Sequence, residues 1–240
     1  MITAMGGLAV ASVLCFAQEA APAPAPAPAK KIFVTAEQMP VASFLPTPPA
    51  NDSAATRIEL AELHRLQETR TSAEVAHAKA DDAEEDIFVF RNVLGDKFTR
   101  ENLPLTALLG DHVHANESVV VNPAKNQFRR PRPYQFDPTL QPVCKTTTSA
   151  TAYSYPSGHS TTGYLEALTL ALMVPEKRDA LLARADDYAH SRLVCGVHFP
   201  ADPVASKLVA YSMIGLMLAN PDFRAELEAA KAETRKALGL

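Results

Sequence analysis

Apolar residues in this chain recur at helical spacing far more often than in strand-like alternation. Between residues 55 and 79, Ile58, Leu60, Leu63 and Leu66 stand among charged residues, and the stretch ends in an Ala-rich polar run, the pattern of an amphipathic helix. Asp86 to Leu94 is a compact apolar segment, and Asn102-Leu-Pro104 to Leu109 predicts a helix opening on proline. Residues 112–129 predict a further helix with Lys125 near its end. Ser160 to Met173 is apolar almost all round, which predicts a central buried helix. Pro175 opens the next one, running through Leu181 and Tyr188 to about Val194, with Gly196 as its stop. Ala205–Ala219 is strongly apolar, and residues 223–238 are amphipathic. Val119-Val120-Val121 is the single short β-like run, and no repeat is present. The expected fold is all-α, a helical bundle whose connecting loops supply the chemistry.

The N-terminal part reads differently. Residues 1–17 are apolar from Ile2 to Phe16 and close on Cys15-Phe-Ala17, a secretory-type leader whose first residues lack the usual Lys or Arg. Residues 20–29 alternate Ala and Pro as an extended spacer that cannot build a core. The expected organisation is a signal peptide over 1–17, an Ala/Pro-rich spacer and irregular segment over 18–50, and a helical domain over 51–240. The longest later apolar run, Leu208 to Ala219, falls short of the roughly 20 residues a spanning helix needs. A mature chain without a membrane span, periplasmic or secreted, is the expectation. Once the leader is removed Cys144 and Cys195 remain, either as one disulfide or as two separate buried thiols.

A hydrophobic content of 47% in 240 residues can fill a sizeable core, while a formal charge of −4 offers no basic field for nucleic acid. An anionic ligand must therefore be held by a local cluster. Three blocks supply one. The first, Lys125-Asn-Gln-Phe-Arg-Arg-Pro-Arg132-Pro133, carries Lys125 and Arg132, with Arg129 and Arg130 competing for the same role. Pro131 and Pro133 forbid a continuous helix, so a helix ends near Arg129 and an extended turn delivers Arg132. The second, Pro156-Ser157-Gly158-His159, opens a buried helix with a hydroxyl and free amides at the positive end of its dipole. The third, Ser191-Arg192-Leu-Val-Cys-Gly-Val-His198-Phe-Pro-Ala-Asp202, places His198 and Asp202 four apart, where a carboxylate can fix the imidazole tautomer. The next helix starts near Pro200 or Pro203, and Pro203 biases Asp202 away from helical geometry, toward the N-cap of that helix while still in reach of His198. Taken singly, the blocks also read as a solvated basic turn, an ordinary N-cap and a histidine satisfied by a nearby acid. Taken together, they hold three cations, two histidines, a carboxylate and a hydroxyl, the inventory that phosphoryl transfer requires. No Cys/His cluster has zinc spacing and no acidic pair suggests a dinuclear centre, so neither metal nor cofactor is expected.

Lys-x6-Arg-Pro, Pro-Ser-Gly-His and Ser-Arg-x5-His-x3-Asp together resemble the signature of the type 2 phosphatidic acid phosphatase and vanadium haloperoxidase superfamily. The resemblance extends loosely from about Phe88 to Lys207. Tyr153-Ser-Tyr-Pro-Ser-Gly-His159 and Ser191–His198 look most like its bacterial class A non-specific acid phosphatases. It implies a helix-bundle domain with the site at helix ends, and metal-independent hydrolysis of phosphate monoesters, broad in specificity, through a phosphohistidine. It further implies His198 as nucleophile, Asp202 as its orienting partner and His159 as general acid. Lys125, Arg132, Arg192, Ser157 and the Gly158 amide would hold the equatorial oxygens. A Cys144–Cys195 bridge and a homo-oligomer are also suggested by it. A vanadium-dependent haloperoxidase and a non-catalytic exported phosphate-binding domain are the rival readings.

Overall fold

The computed structural model describes Met1, Ile2 and residues 30–240; the rest of the leader and the Ala/Pro run lie outside the described residues. The described elements are α1 (Val41–Phe44), α2 (Ala54–Thr69), α3 (Ser72–Ala83), α4 (Arg91–Leu94), α5 (Pro104–Phe128), α6 (Pro133–Phe136), α7 (Gly158–Met173), α8 (Arg178–Val194), α9 (Ala201–Ala219) and α10 (Pro221–Leu238). Two 3-10 turns, Ile87–Phe90 and Pro175–Lys177, precede α4 and α8. No strand occurs among the described residues, so the fold is all-α.

Local chemistry explains where the elements depart from the simple pattern. The helix predicted over 55–79 is two. Thr71 interrupts it with a capping box: its hydroxyl accepts from the Glu74 amide at 3.2 Å while Glu74 Oε2 accepts from the Thr71 amide at 2.7 Å. The two helices predicted between 102 and 129 are one continuous α5, which also absorbs Val119–Val121. Gly110 lies at a close approach inside it, since a Cβ there would stand 2.7 Å from Ile87 Cγ2. The helix ends as predicted, with Arg129 in the left-handed region at φ 51° and its amide donating to the Lys125 carbonyl at 2.9 Å. Lys125 is thereby fixed in the last turn of α5, and Arg132 follows on extended backbone.

Helix α7 is the hub, buried on nearly every side and packed against α5, α8, α9 and α10. Tyr164, Leu165, Leu170 and Met173 of α7 join Tyr188 of α8 and Met213 of α9 in one core. Burying each aliphatic side chain of this kind contributes about 1.5–3 kcal/mol. Core residues also come from ahead of residue 51: Phe33, Val34, Met39 and Leu45 are buried, and the Phe33 and Val34 amides both donate to Asn116 Oδ1. Helix α8 stops at Cys195, with Gly196 at φ +73°. Cys195 is disulfide-bonded to Cys144.

Helix α9 corrects one expectation. It begins at Ala201, so Asp202 lies inside its first turn and Pro200 takes the N-cap place. Pro203 is tolerated because the amide it lacks would have no intrahelical partner so near the start. Among the described residues no helix is long and apolar enough to cross a membrane.

Candidate active site

Two helix N-termini meet at the site. Ser157 caps α7, accepting from the Ser160 amide at 3.3 Å and the Ser160 hydroxyl at 3.0 Å. The Gly158 and His159 amides, one step further on, have no carbonyl within the helix to bond. The Ser206 hydroxyl contacts both the Ser157 carbonyl and the Asp202 carbonyl at 2.8 Å, which ties the start of α9 to the start of α7. The three sequence blocks are thus drawn together by the ends of α5, α7, α8 and α9.

His198 stands on the short connection between α8 and α9, 1% exposed. Its Nδ1 is 3.0 Å from Asp202 Oδ2 and its Nε2 is 3.1 Å from Arg132 Nη1. An arginine can only donate, so Nε2 carries the lone pair and Nδ1 the proton. Asp202 is held in turn: Oδ2 also accepts from the Phe199 amide at 2.9 Å, and Oδ1 accepts from Arg130 Nη1 at 2.9 Å. Arg130 is buried between Asp202 and Glu59, with its guanidinium 3.9 Å from the centre of the Phe199 ring. Glu59 accepts from the Ala201 amide at 2.8 Å. The competition within the Arg-rich block is therefore resolved by geometry. Arg129 caps α5 and is exposed, Arg130 supports Asp202, and Arg132 reaches the histidine.

A cavity of about 610 Å³ has Arg132, His159, Arg192, Asp82 and Glu85 on its walls. Arg192 donates from Nη1 to Asp82 Oδ1 at 2.6 Å, while its Nε is buried with no partner among the described residues and can donate to an anion. Ser191, beside it, donates to Asp81 at 2.6 Å and so fixes α8 against α3. His159 Nε2 contacts the Glu85 carboxylate. Lys125 donates weakly to the Tyr153 carbonyl at 3.4 Å. A larger cleft of about 850 Å³ lies between the start of α5 and α10, but no histidine or arginine lines it.

Burial and the crowding of cations set the protonation states. His198 is held well below its ordinary range, first by burial and then by Arg132, Lys125 and Arg192. Burial and the neighbouring Arg132 push Lys125 down to about 8. Burial lifts Asp202 to about 6, against the pull of Arg130 and the Phe199 amide. His159 is lowered by burial, with Glu85 opposing the shift. The result is a neutral, oriented imidazole facing a cluster of cations.

All the sequence-predicted residues gather in this region. Sequence reasoning missed the carboxylates: Glu59 behind Arg130, Asp82 on Arg192, Glu85 on His159, and Glu117 packed against Gly158. It also missed the separate task of Arg130.

Comparison with known proteins agrees with the geometry. A non-specific acid phosphatase of Providencia stuartii is 30% identical over 151 residues, covering 61% of this chain and 60% of that protein. An acid phosphatase of Zymomonas mobilis is 38% identical over 117 residues, 48% of this chain and 44% of that protein. A non-specific acid phosphatase of Salmonella typhimurium is 28% identical over 197 residues, 79% of this chain and 78% of the relative. The chain thus spans 60% or less of the length of the first two of these relatives. The PAP2 superfamily model matches residues 112–225, the stretch holding every cation and histidine predicted from sequence for the site.

Proposed function

We propose that this protein is an acid phosphatase of the class A type, hydrolysing phosphate monoesters of broad structure without a metal, in the periplasm or outside the cell. The observation that carries the reading is the buried His198–Asp202 pair, whose unprotonated Nε2 meets Arg132 beside the cavity walled by Arg132, Arg192 and His159. The disulfide suits an oxidising compartment, and the relatives are named as acid phosphatases.

In the first step the lone pair of His198 Nε2 forms a bond to phosphorus as the bond to the leaving oxygen breaks. His159 gives that oxygen its proton, so the alcohol departs neutral. Asp202 stabilises the charge that Nδ1–H comes to share. Arg132, Arg192 and Lys125, with the Ser157 hydroxyl and the Gly158 amide, hold the three equatorial oxygens. In the second step His159 takes a proton from water, which attacks phosphorus and releases inorganic phosphate and His198.

The test is release of p-nitrophenol from p-nitrophenyl phosphate across acid to neutral pH with EDTA present. Wild type is expected to turn over, and His198→Ala to lose all measurable activity. A silent wild type, or substantial activity retained in the variant, overturns the assignment.

A further inference from the structure

Gly158 is glycine for a reason beyond the approach of phosphate. A Cβ at this position would stand 2.8 Å from Glu117 Oε1. Glu117 belongs to α5, two turns before Lys125, and is only 8% exposed. Its carboxyl group therefore lies against the first turn of α7, where the anion-binding amides begin. Like Lys125, it projects from α5 toward the end of α7 that carries Ser157 and His159.

The charges that face it come from three directions. On its own helix they are Lys125 and His114, and from the segment after α3 comes Glu85. Helix α7 presents the positive end of its dipole. Lys125 is the strongest of the charged neighbours and favours the carboxylate, whereas burial, with a smaller contribution from Glu85, disfavours it and prevails, raising its proton affinity. Glu117 in turn acts on Lys125. The other carboxylates of the site already have partners, Asp202 and Glu59 on Arg130, Asp82 on Arg192 and Glu85 on His159. Glu117 has no hydrogen-bond donor among the described residues.

We propose that Glu117 sets the pH range over which the site accepts phosphate: ionised, it opposes an anion on the Gly158 and Lys125 side, and protonated, it admits one. The inference rests on the phosphatase reading of the site. Two anions held close together in a protein raise each other's proton affinity, so a phosphate dianion seated against Gly158 favours protonation of Glu117. By linkage, protonation of Glu117 must then favour phosphate by the same factor. Glu117 is a positioning residue on this account and takes no covalent part.

The experiment is calorimetric titration of the full chain with inorganic phosphate from about pH 4.5 to about pH 8, for wild type, Glu117→Gln and Glu117→Ala. Gln keeps the shape and removes the charge, while Ala tests whether charge alone matters; thermal melts establish that both variants fold. At the acid end the variants should bind within about two-fold of wild type. At the upper end both should bind at least about ten-fold tighter, the size expected when a like charge is removed at about 12 Å in a medium of effective dielectric near 20, and more at shorter range. Wild type should also take up more protons on binding than either variant, read from the dependence of the heat on buffer. An affinity ratio that stays flat with pH overturns the role of Glu117, even where wild type binds phosphate and hydrolyses esters. A wild type that binds no phosphate at any pH overturns the reading of the site, and this inference with it.

Discussion

Arg130 is the residue on which the nucleophile's support depends, and Arg130→Met isolates its contribution. Met keeps the length of an unbranched side chain but removes the charge that neutralises Asp202 and Glu59 together. Breaking a buried ion pair by deleting one partner costs about 3–5 kcal/mol, because the other charge is left without compensation. Here two carboxylates lose their cation, though each keeps another donor: Asp202 the Phe199 amide and His198, Glu59 the Ala201 amide. The guanidinium stack on Phe199 is lost as well. A total of about 3–5 kcal/mol is a large part of the 5–15 kcal/mol typical of a folded domain. At roughly 2–4 °C per kcal/mol for a chain of this size, the melting temperature should fall by about 6–20 °C at neutral pH.

The pH dependence separates lost charge compensation from lost packing. Asp202 is lifted in the wild type from 3.8 to about 6, and removing Arg130 takes away an interaction that opposes the rise. Between the unfolded value and the folded one, the native state holds a proton that the unfolded state lacks. Stability contributed by such a group is therefore present at low pH and lost as pH rises through the folded value. The gap in melting temperature between Arg130→Met and wild type should be widest at neutral pH and should narrow below about 6. Thermal melts followed by circular dichroism at several pH values give the answer. An equal depression at about pH 5 and about pH 7.5 would assign the loss to packing. A depression under about 3 °C throughout would mean that the cation does not hold the two carboxylates.

Three further outcomes are expected. Glu85→Gln removes the group that keeps the His159 proton affinity up against burial, so the alkaline limb of the kcat/KM profile should move to lower pH; an unmoved limb would separate Glu85 from His159. Gly158→Ala places a methyl 2.8 Å from Glu117 Oε1 and should cost about 1–3 kcal/mol in urea unfolding. Most of that cost should be recovered in the double variant with Glu117→Ala, whereas strict additivity would deny the contact. Reducing the Cys144–Cys195 bond, which spans a sequence separation of 51, should cost as much as about 4 kcal/mol. A melting temperature unchanged by reductant would mean that the bond is absent or carries no constraint.

The sequence reveals the cations and histidines of this site far better than its carboxylates, and the reason is physical. Lys125, Arg132, His159, Arg192 and His198 are placed by features that act over a few residues: a helix end at Arg129, the prolines flanking Arg132, the Ser157 N-cap, and Gly196 at positive φ. The buried helix that became α7 was equally legible, because an apolar surface all round admits only a central position. Glu59, Asp82, Glu85 and Glu117 carry no such marker among the 27 acidic residues of the chain. Glu59, for example, meets Arg130 across 71 residues of sequence. Asp202 is not the N-cap of α9 for a related reason. The clash that disfavours a helical residue before proline is local and modest, whereas Asp202 is fixed by Arg130, Phe199, His198 and Ser206 from outside its own segment. Local rules thus predict where positive charge and nucleophile will stand. The long-range carboxylates decide in which protonation state they stand there, so the pH behaviour of the site follows from the tertiary fold rather than from its motifs.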